Sequence, residues 1–297
     1  MDDCIRRAWL VLGAKSIDLE DVSAGYVCTE LDLGSPEVRE VVTNRPDQNG
    51  IDDRTQFYGS RAVTADITIA APDARIDEVA SAFAPFMLVS ARPELHYVLD
   101  RGTNPERVLV LRPADYDWKV KGAITRDVHL AWVASDPIAY SPTWNTTTSW
   151  AGSSGAAGRV YNLTFPRSYP VGTTPPSNGV IQPSGDVPVR PLLRIYGPIV
   201  QPRVTFRDPQ NNAQHFAFRN TTTIDANHWI DVDPNARTAY WDGDKSRPAM
   251  REINWWYPTV WPLLQPGVRY TMTLFADSGG ANQVTQCVAT WRDGWLS

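Results

Sequence analysis

The stretch RDVHLAWVASDPIAYSP, residues 126–142, constrains the fold more than any other. Val128, Leu130, Trp132 and Ala134 recur with period two on one face, and Asp127 and His129 fall on the other. That pattern is a strand with one face turned to a core. The stretch then runs into Asp136-Pro137, with Pro142 close behind. Proline has no N–H and restricts the residue before it, so the strand leaves its ladder here. We expect a first domain over 1–142 to close at this exit. On this reading the exit depends on Pro137, and Asp136→Ala is expected to be mild.

The same alternation organises what comes earlier. Over 57–70, Val63, Ala65, Ile67 and Ile69 alternate with Thr64, Asp66 and Thr68, which predicts a strand. Residues 1–35 read as short antiparallel strands turning at Gly13 and Gly25. Residues 36–56 carry Pro46 and Asn49-Gly50, as a β-hairpin or a long exposed loop would. One helix is expected, at about 73–88, capped by Asp73 and carrying Asp77 and Glu78 in its first turn. Its stripe is Ile76, Val79, Ala80, Phe83 and Met87, with Pro85 marking a kink or an end. Further strands follow at 96–100, 107–113 and 116–122. The sum is a β-sandwich with one helix laid against it.

Residues 143–187 differ in kind, being rich in Ser, Thr, Gly and Pro. They read either as a flexible connector or as a docking arm, the second because VYNLTFPRSYP at 160–170 keeps apolar residues. From 188 to 297 short strands return, with turns at DPNA (233–236) and Ser278-Gly279-Gly280. The fold class is therefore all-β with one flanking helix, arranged as two sandwich domains. The 24 Pro and 12 Trp agree with it, and 297 residues suffice for two cores.

Several function classes fall away. A net charge of −5 argues against gripping nucleic acid, which rests on neutralised phosphates. No apolar run approaches the roughly 18 residues of a membrane span. The start, MDDCIRRAWLVLG, has aspartates where a signal peptide has a basic region. Cys4, Cys28 and Cys287 are odd in number and far apart, which argues against a disulfide framework.

Motifs with chemical meaning are few. Asp231-x-Asp233-x-Asn235 has the spacing that opens a calcium loop, but Pro234 interrupts it and Ala236 stands where Gly is required. A hairpin turn is the preferred reading. Asp277-Ser278-Gly279-Gly280 is read as a Gly-rich turn rather than a nucleophile box. Asp115 and Asp117 could share a strand face as an acid–base pair, though such pairs are common at strand ends. His96, His129, His215 and His228 stand singly, so no metal site, cofactor or catalytic residue is expected. Trp255, Trp256 and Trp261, beside Asn254, could stack on a sugar; packing at a corner rich in proline (Pro258, Pro262, Pro266) is preferred.

The order of the segments resembles a known family. WVASDPIAYSP (132–142) is similar to the strand-end signature of distal tail proteins of long-tailed siphophages. SRAVTADITIAA (60–71) before a helix resembles that family's first domain, and VPVRPLLRIYGPIVQPRVTF (187–206) the lead-in to its second. NHWIDVDPNARTAYWDG (227–243) and LLQPG (263–267) resemble later turns. The resemblance implies a tail-tube-like first domain forming a hexameric ring and a galectin-like second domain projecting outward. It implies a structural protein without enzymatic activity, in the virion tail tip and assembled in the host cytoplasm. Its implied partners are the tail tube protein, the tape-measure protein and tail-associated hub or fibre proteins. The polar 36–56 and 143–187 stretches are candidate neighbour contacts. The alternative is a carbohydrate-binding module at the tail tip, using Trp255, Trp256 or Trp261.

Overall fold

The computed structural model describes residues 5–39, 42–44, 51–53, 57–72, 75–99, 105–151, 178–275 and 285–296. The fold is all-β, with a single short α-helix among the described residues. It divides into two units, Met1–Pro142 with Trp295–Ser297, and Thr143–Gly294.

The first unit begins with β1 (Ile5–Leu12), β2 (Lys15–Asp18), β3 (Tyr26–Asp32), β4 (Val38–Arg39), β5 (Val42–Asn44), β6 (Ile51–Asp53) and β7 (Phe57–Tyr58). It continues with β8 (Arg61–Ala70), helix α1 (Ile76–Ser81), β9 (Glu94–Leu99), β10 (Arg107–Val110), β11 (Arg112–Gly122), β12 (Thr125–Ala134) and β13 (Ala139–Tyr140). A six-stranded sheet runs β2-β1-β9-β10-β13 and ends on a strand at Gly294–Trp295, and a four-stranded sheet runs β11-β12-β8-β3. Leu10, Leu95, Tyr97 and Leu109 from the first sheet share one core with Ile67, Ile69, Leu130 and Trp132 from the second. As the alternation predicts, Val63, Ala65, Ile67 and Ile69 of β8 and Val128, Leu130, Trp132 and Ala134 of β12 are all buried.

The helix is shorter than the pattern predicts. It is α-helical over Ile76–Ser81, and a separate 3-10 turn covers Ala84–Met87. Pro85 sits in the first positions of that turn, where its missing N–H removes no bond. Asp73, the expected cap, lies outside the described residues, and Arg75 at the N-cap makes no side-chain capping bond. A helix this short does not hold by itself. Ile76, Val79, Ala80, Phe83 and Phe86 hold it by burial in the core.

Two glycines fix β3 to β8. Gly25 (φ +92°) and Gly34 (φ +59°) sit at the two ends of β3, and a Cβ there would come within 2.4 Å of Ala70 O and 2.3 Å of Ala62 O. Only glycine allows this approach with positive φ. Beyond β3, β4 pairs with β7 and β5 with β6, both antiparallel, as a hairpin over 36–56 requires. Its expected Asn49-Gly50 turn lies outside the described residues.

The exit from β12 rests on more than proline. Asp136 Oδ1 accepts a hydrogen bond from the Ile138 N–H at 3.1 Å, and the Tyr140 hydroxyl donates to Oδ2 at 2.9 Å.

The second unit contains β14 (Asn145–Trp150), β15 (Gly179–Ile181), β16 (Leu192–Tyr196), β17 (Ile199–Val200), β18 (Arg203–Arg207) and β19 (Ala213–Ala217). β20 (Thr223–Ile224), β21 (Trp229–Asp233), β22 (Thr238–Trp241), β23 (Tyr270–Phe275) and β24 (Gln286–Trp291) follow. One sheet runs β14-β24-β16-β21-β22, the other β15-β23-β18-β19. Leu193, Ile195, Ile230 and Cys287 share a core with Phe206, Phe216, Met272 and Leu274. The stretch at 143–187 supplies two of these strands, which differs from a plain connector. Its polar composition conceals the role: buried Ser149 Oγ accepts from the Leu274 N–H at 3.0 Å, and Thr147 Oγ1 from the Val180 N–H at 3.2 Å. The 160–170 segment lies outside the described residues.

The two bonds at Asp136 change the expectation for its replacement. Asp136→Ala should cost about 0.5–1.5 kcal/mol. Urea unfolding should show a lowered midpoint at unchanged slope.

Candidate functional site

The four-stranded sheet of the first unit is apolar beyond the edge of its core. Cys28, Ile67, Val128 and Trp118 lie side by side across β3, β8, β12 and β11. Ile67 and Val128 are 1% exposed, but Trp118 at the end of the same row is 45% exposed. The next row is Tyr26, Ile69, Arg126 and Val120, and Val120 is 73% exposed. Ile124, in the turn between β11 and β12, is exposed as well. Among the described residues β11 and β3 each have one neighbour, so the sheet is open at both edges. An open edge presents unpaired N–H and C=O groups to any strand that can reach them.

The opposite face of the sheet is charged. One row reads Asp117, His129, Asp66 and Glu30, and the next Lys119, Asp127, Thr68 and Val27. His129 Nδ1 lies 2.6 Å from Asp66 Oδ1, and the Thr29 hydroxyl donates to Asp66 O at 3.0 Å. Asp127 pairs with Lys121 and accepts from the Thr68 hydroxyl at 3.1 Å. The Lys121 ammonium, with the Thr68 hydroxyl, holds its carboxyl below the usual carboxylate range. Thr29, Asp66, Thr68, Asp117, Asp127 and His129 line a shallow cleft of about 340 Å³. Burial pushes the Cys28 thiol up to about 11, so it is not a ready nucleophile.

The structure separates the three tryptophans read from sequence. Asn254 Oδ1 accepts from the backbone N–H of Trp256 (3.2 Å) and Tyr257 (3.3 Å), and the Thr259 hydroxyl donates to Asn254 O at 2.8 Å. This Asx turn carries Trp256 at 98% exposure. Trp261 instead packs on Phe216, with ring centroids 5.2 Å apart, and Trp255 leans on Trp261 at 5.9 Å. Packing therefore accounts for Trp261 and for part of Trp255, and not for Trp256.

The remaining motifs have local uses. Asp231 binds Arg194 through two bonds, at 2.6 and 3.0 Å, and accepts from Trp229 Nε1. Asp233 Oδ1 accepts from the N–H of Asn235 and Ala236, which makes the calcium-like spacing a hairpin turn. Asp115 accepts from the Tyr116 N–H, and Asp117 lies 3.8 Å from Lys119. His96 pairs with Glu106, His215 with Thr205 and His228 with Asp242. Among the described residues no three His, Cys, Asp or Glu gather as a metal site would need. Residues 277–280 lie outside the described residues. Sequence reading missed the exposure of Trp118 and Val120, because YDWKVKG alternates just as a fully covered strand does.

No family model matches this chain, and no curated protein matches its sequence. Solved structures do. The chain is similar to the crystal structure of the SPP1 Dit (gp 19.1) protein, described as a paradigm of hub adsorption apparatus in phages infecting Gram-positive bacteria. The TM-score is 0.61 at 10% identity, over 97% of this chain and 99% of that one. It also matches a chain of the phage P2 baseplate in its activated conformation with Ca, at TM-score 0.46 and 12% identity, over 98% of each chain. The likeness to the SPP1 protein is one of fold, and it spans both units.

The ion pair at Asp127 gives a pH test. A carboxylate with a depressed pKa adds stability above its unfolded value, about 3.9, and loses it as pH falls through the folded value. Lys121→Met should melt below the wild type at neutral pH. The difference between the two melts should shrink as pH falls below about 3.9.

Proposed function

We propose that this chain is a structural component of a phage virion, a distal tail protein. Its first unit forms a hexameric ring that joins the tail tube to the tail tip and serves as a hub for tip proteins. The tail tube protein, the tape-measure protein and hub or fibre proteins are the partners this role calls for. Assembly takes place in the host cytoplasm, and the ring resides in the tail tip. The second unit is the galectin-like domain of this reading, and no catalytic step is assigned to either.

One observation carries the proposal: an apolar row, and a second interrupted by Arg126, run past the core onto a strand with no outer neighbour among the described residues, where a second copy would cover Trp118 and Val120. Strand direction favours head-to-tail closure. β3–β8, β8–β12 and β12–β11 are all antiparallel, so β3 runs opposite to β11. A neighbour in the same orientation that sets its β3 beside β11 continues the antiparallel ladder. Repetition by rotation closes a ring with heterologous interfaces. The fold shared with the SPP1 hub protein supports the same role.

Native mass spectrometry and cryo-EM of tails test the reading. A hexamer located at the tail tip is expected, and a strictly monomeric protein that never enters tails overturns the proposal. Val120→Asp should abolish the ring while leaving unfolding of the free chain within about 0.5 kcal/mol of wild type. The exposed Trp256 favours a second reading, a carbohydrate-binding module at the tail tip that contacts host surface glycans.

A further inference from the structure

Arg203, at the start of β18, is placed unlike Arg194 and Arg247 of the same unit. Arg194 and Arg247 each hold a carboxylate, that of Asp231 and that of Asp242. Arg203 has no carboxylate partner among the described residues; it donates from a terminal nitrogen to the Tyr257 hydroxyl at 3.1 Å. Its Nε is buried and reaches no acceptor among them. The guanidinium carbon lies 4.9 Å from the Phe275 ring centroid and 5.6 Å from that of Tyr257. Such a cation is attracted to the rings but is not neutralised by them.

The surroundings form a cleft of about 230 Å³, lined by Arg203, the rings of Tyr257 and Phe275, and the side-chain amides of Gln201 and Asn254. Arg207, four residues along the same strand, adds a second positive charge on the same face. The local field is visible at His215: burial, and then Arg203 and Arg207, lower its pKa. Trp256 adjoins Tyr257 in the chain, and the Asn254 turn holds it out at 98% exposure.

We infer that this cleft binds a carboxylate-bearing sugar of a surface glycan, with Arg203 taking the carboxylate and Trp256 the apolar face of the ring. The inference rests on the carbohydrate reading of the second unit and is independent of the ring. A guanidinium fork matches a planar carboxylate, and an indole presents a flat face to the C–H side of a pyranose. Gln201 supplies a donor and an acceptor for the hydroxyls, and Asn254, whose Oδ1 is taken by the turn, its amide donor. The cleft is sized for one ring rather than for the roughly 800 Å² per partner of a standard protein interface.

The test is isothermal titration calorimetry of the full chain with an oligogalacturonate tetramer and with its methyl ester, which keeps the ring and removes the charge. The acid form should bind at least about ten-fold more tightly than the ester, and added salt should weaken it. Trp256→Ala, a fully exposed change, should weaken the acid form about ten-fold or more without altering the ring mass. Equal binding of acid and ester would overturn the charge inference and leave the carbohydrate reading standing. Absence of binding by either at about millimolar concentration would overturn both. Acid binding untouched by Trp256→Ala would overturn the site. An oligoglutamate peptide that displaces the sugar and binds more tightly would overturn the ligand class in favour of a protein partner.

Discussion

The open edges of one four-stranded sheet set the terms for the rest of the first unit. Backbone N–H and C=O groups at an edge are strong hydrogen-bonding groups, and water or another strand must satisfy them. Many proteins blunt such edges with charges or prolines. β11 has charges on one face, but on the other it keeps Trp118 and Val120, which stay 45% and 73% exposed. The edge is not regular, since the β11–β12 pairing shifts register between Pro113 and Asp115 and between Val120 and Gly122. β12 and β8 are anchored by Leu130, Trp132, Ile67 and Ile69, and Gly25 and Gly34 hold the far strand to β8. The buried part of the sheet lies in the core, and its exposed apolar part lies at the margin.

The second unit solves a different problem, the use of polar strands inside a sandwich. β14 reads NTTTSW, yet it pairs along its length with β24. Its Ser149 and Thr147 hydroxyls accept from backbone N–H groups of β23 and β15. A buried hydroxyl is tolerable when it is bonded, and here it also ties the two sheets together.

What the sequence revealed follows from what periodicity can report. β8 and β12 were legible because both bury one face, which leaves alternation in the residues. The helix was legible by its stripe but too long at 73–88; of the kink or end expected at Pro85 the structure has an end, with a separate turn over Ala84–Met87. β14 was hidden, because hydroxyl residues bonded to backbone look like linker composition. For the candidate site, Tyr116, Trp118 and Val120 were visible as an alternating strand. Their position at the outer edge was not, since order within a sheet is a long-range property. Trp256 and Trp261 were equivalent in sequence; only the Asn254 turn and the Phe216 contact separate a displayed indole from a packed one. Arg203 carried no signal at all, because the absence of a nearby carboxylate depends on the fold.

The alternation of strand direction from β3 to β11 makes the even number of strands in this sheet a constraint on its evolution. In the proposed ring, adding or deleting a single strand would bring like-directed edges together at every junction, with slanted bonds and a different register. If the proposed ring holds, a relative that gains or sheds a strand from this sheet must change it by a whole hairpin, or rebuild every contact around the circle at once.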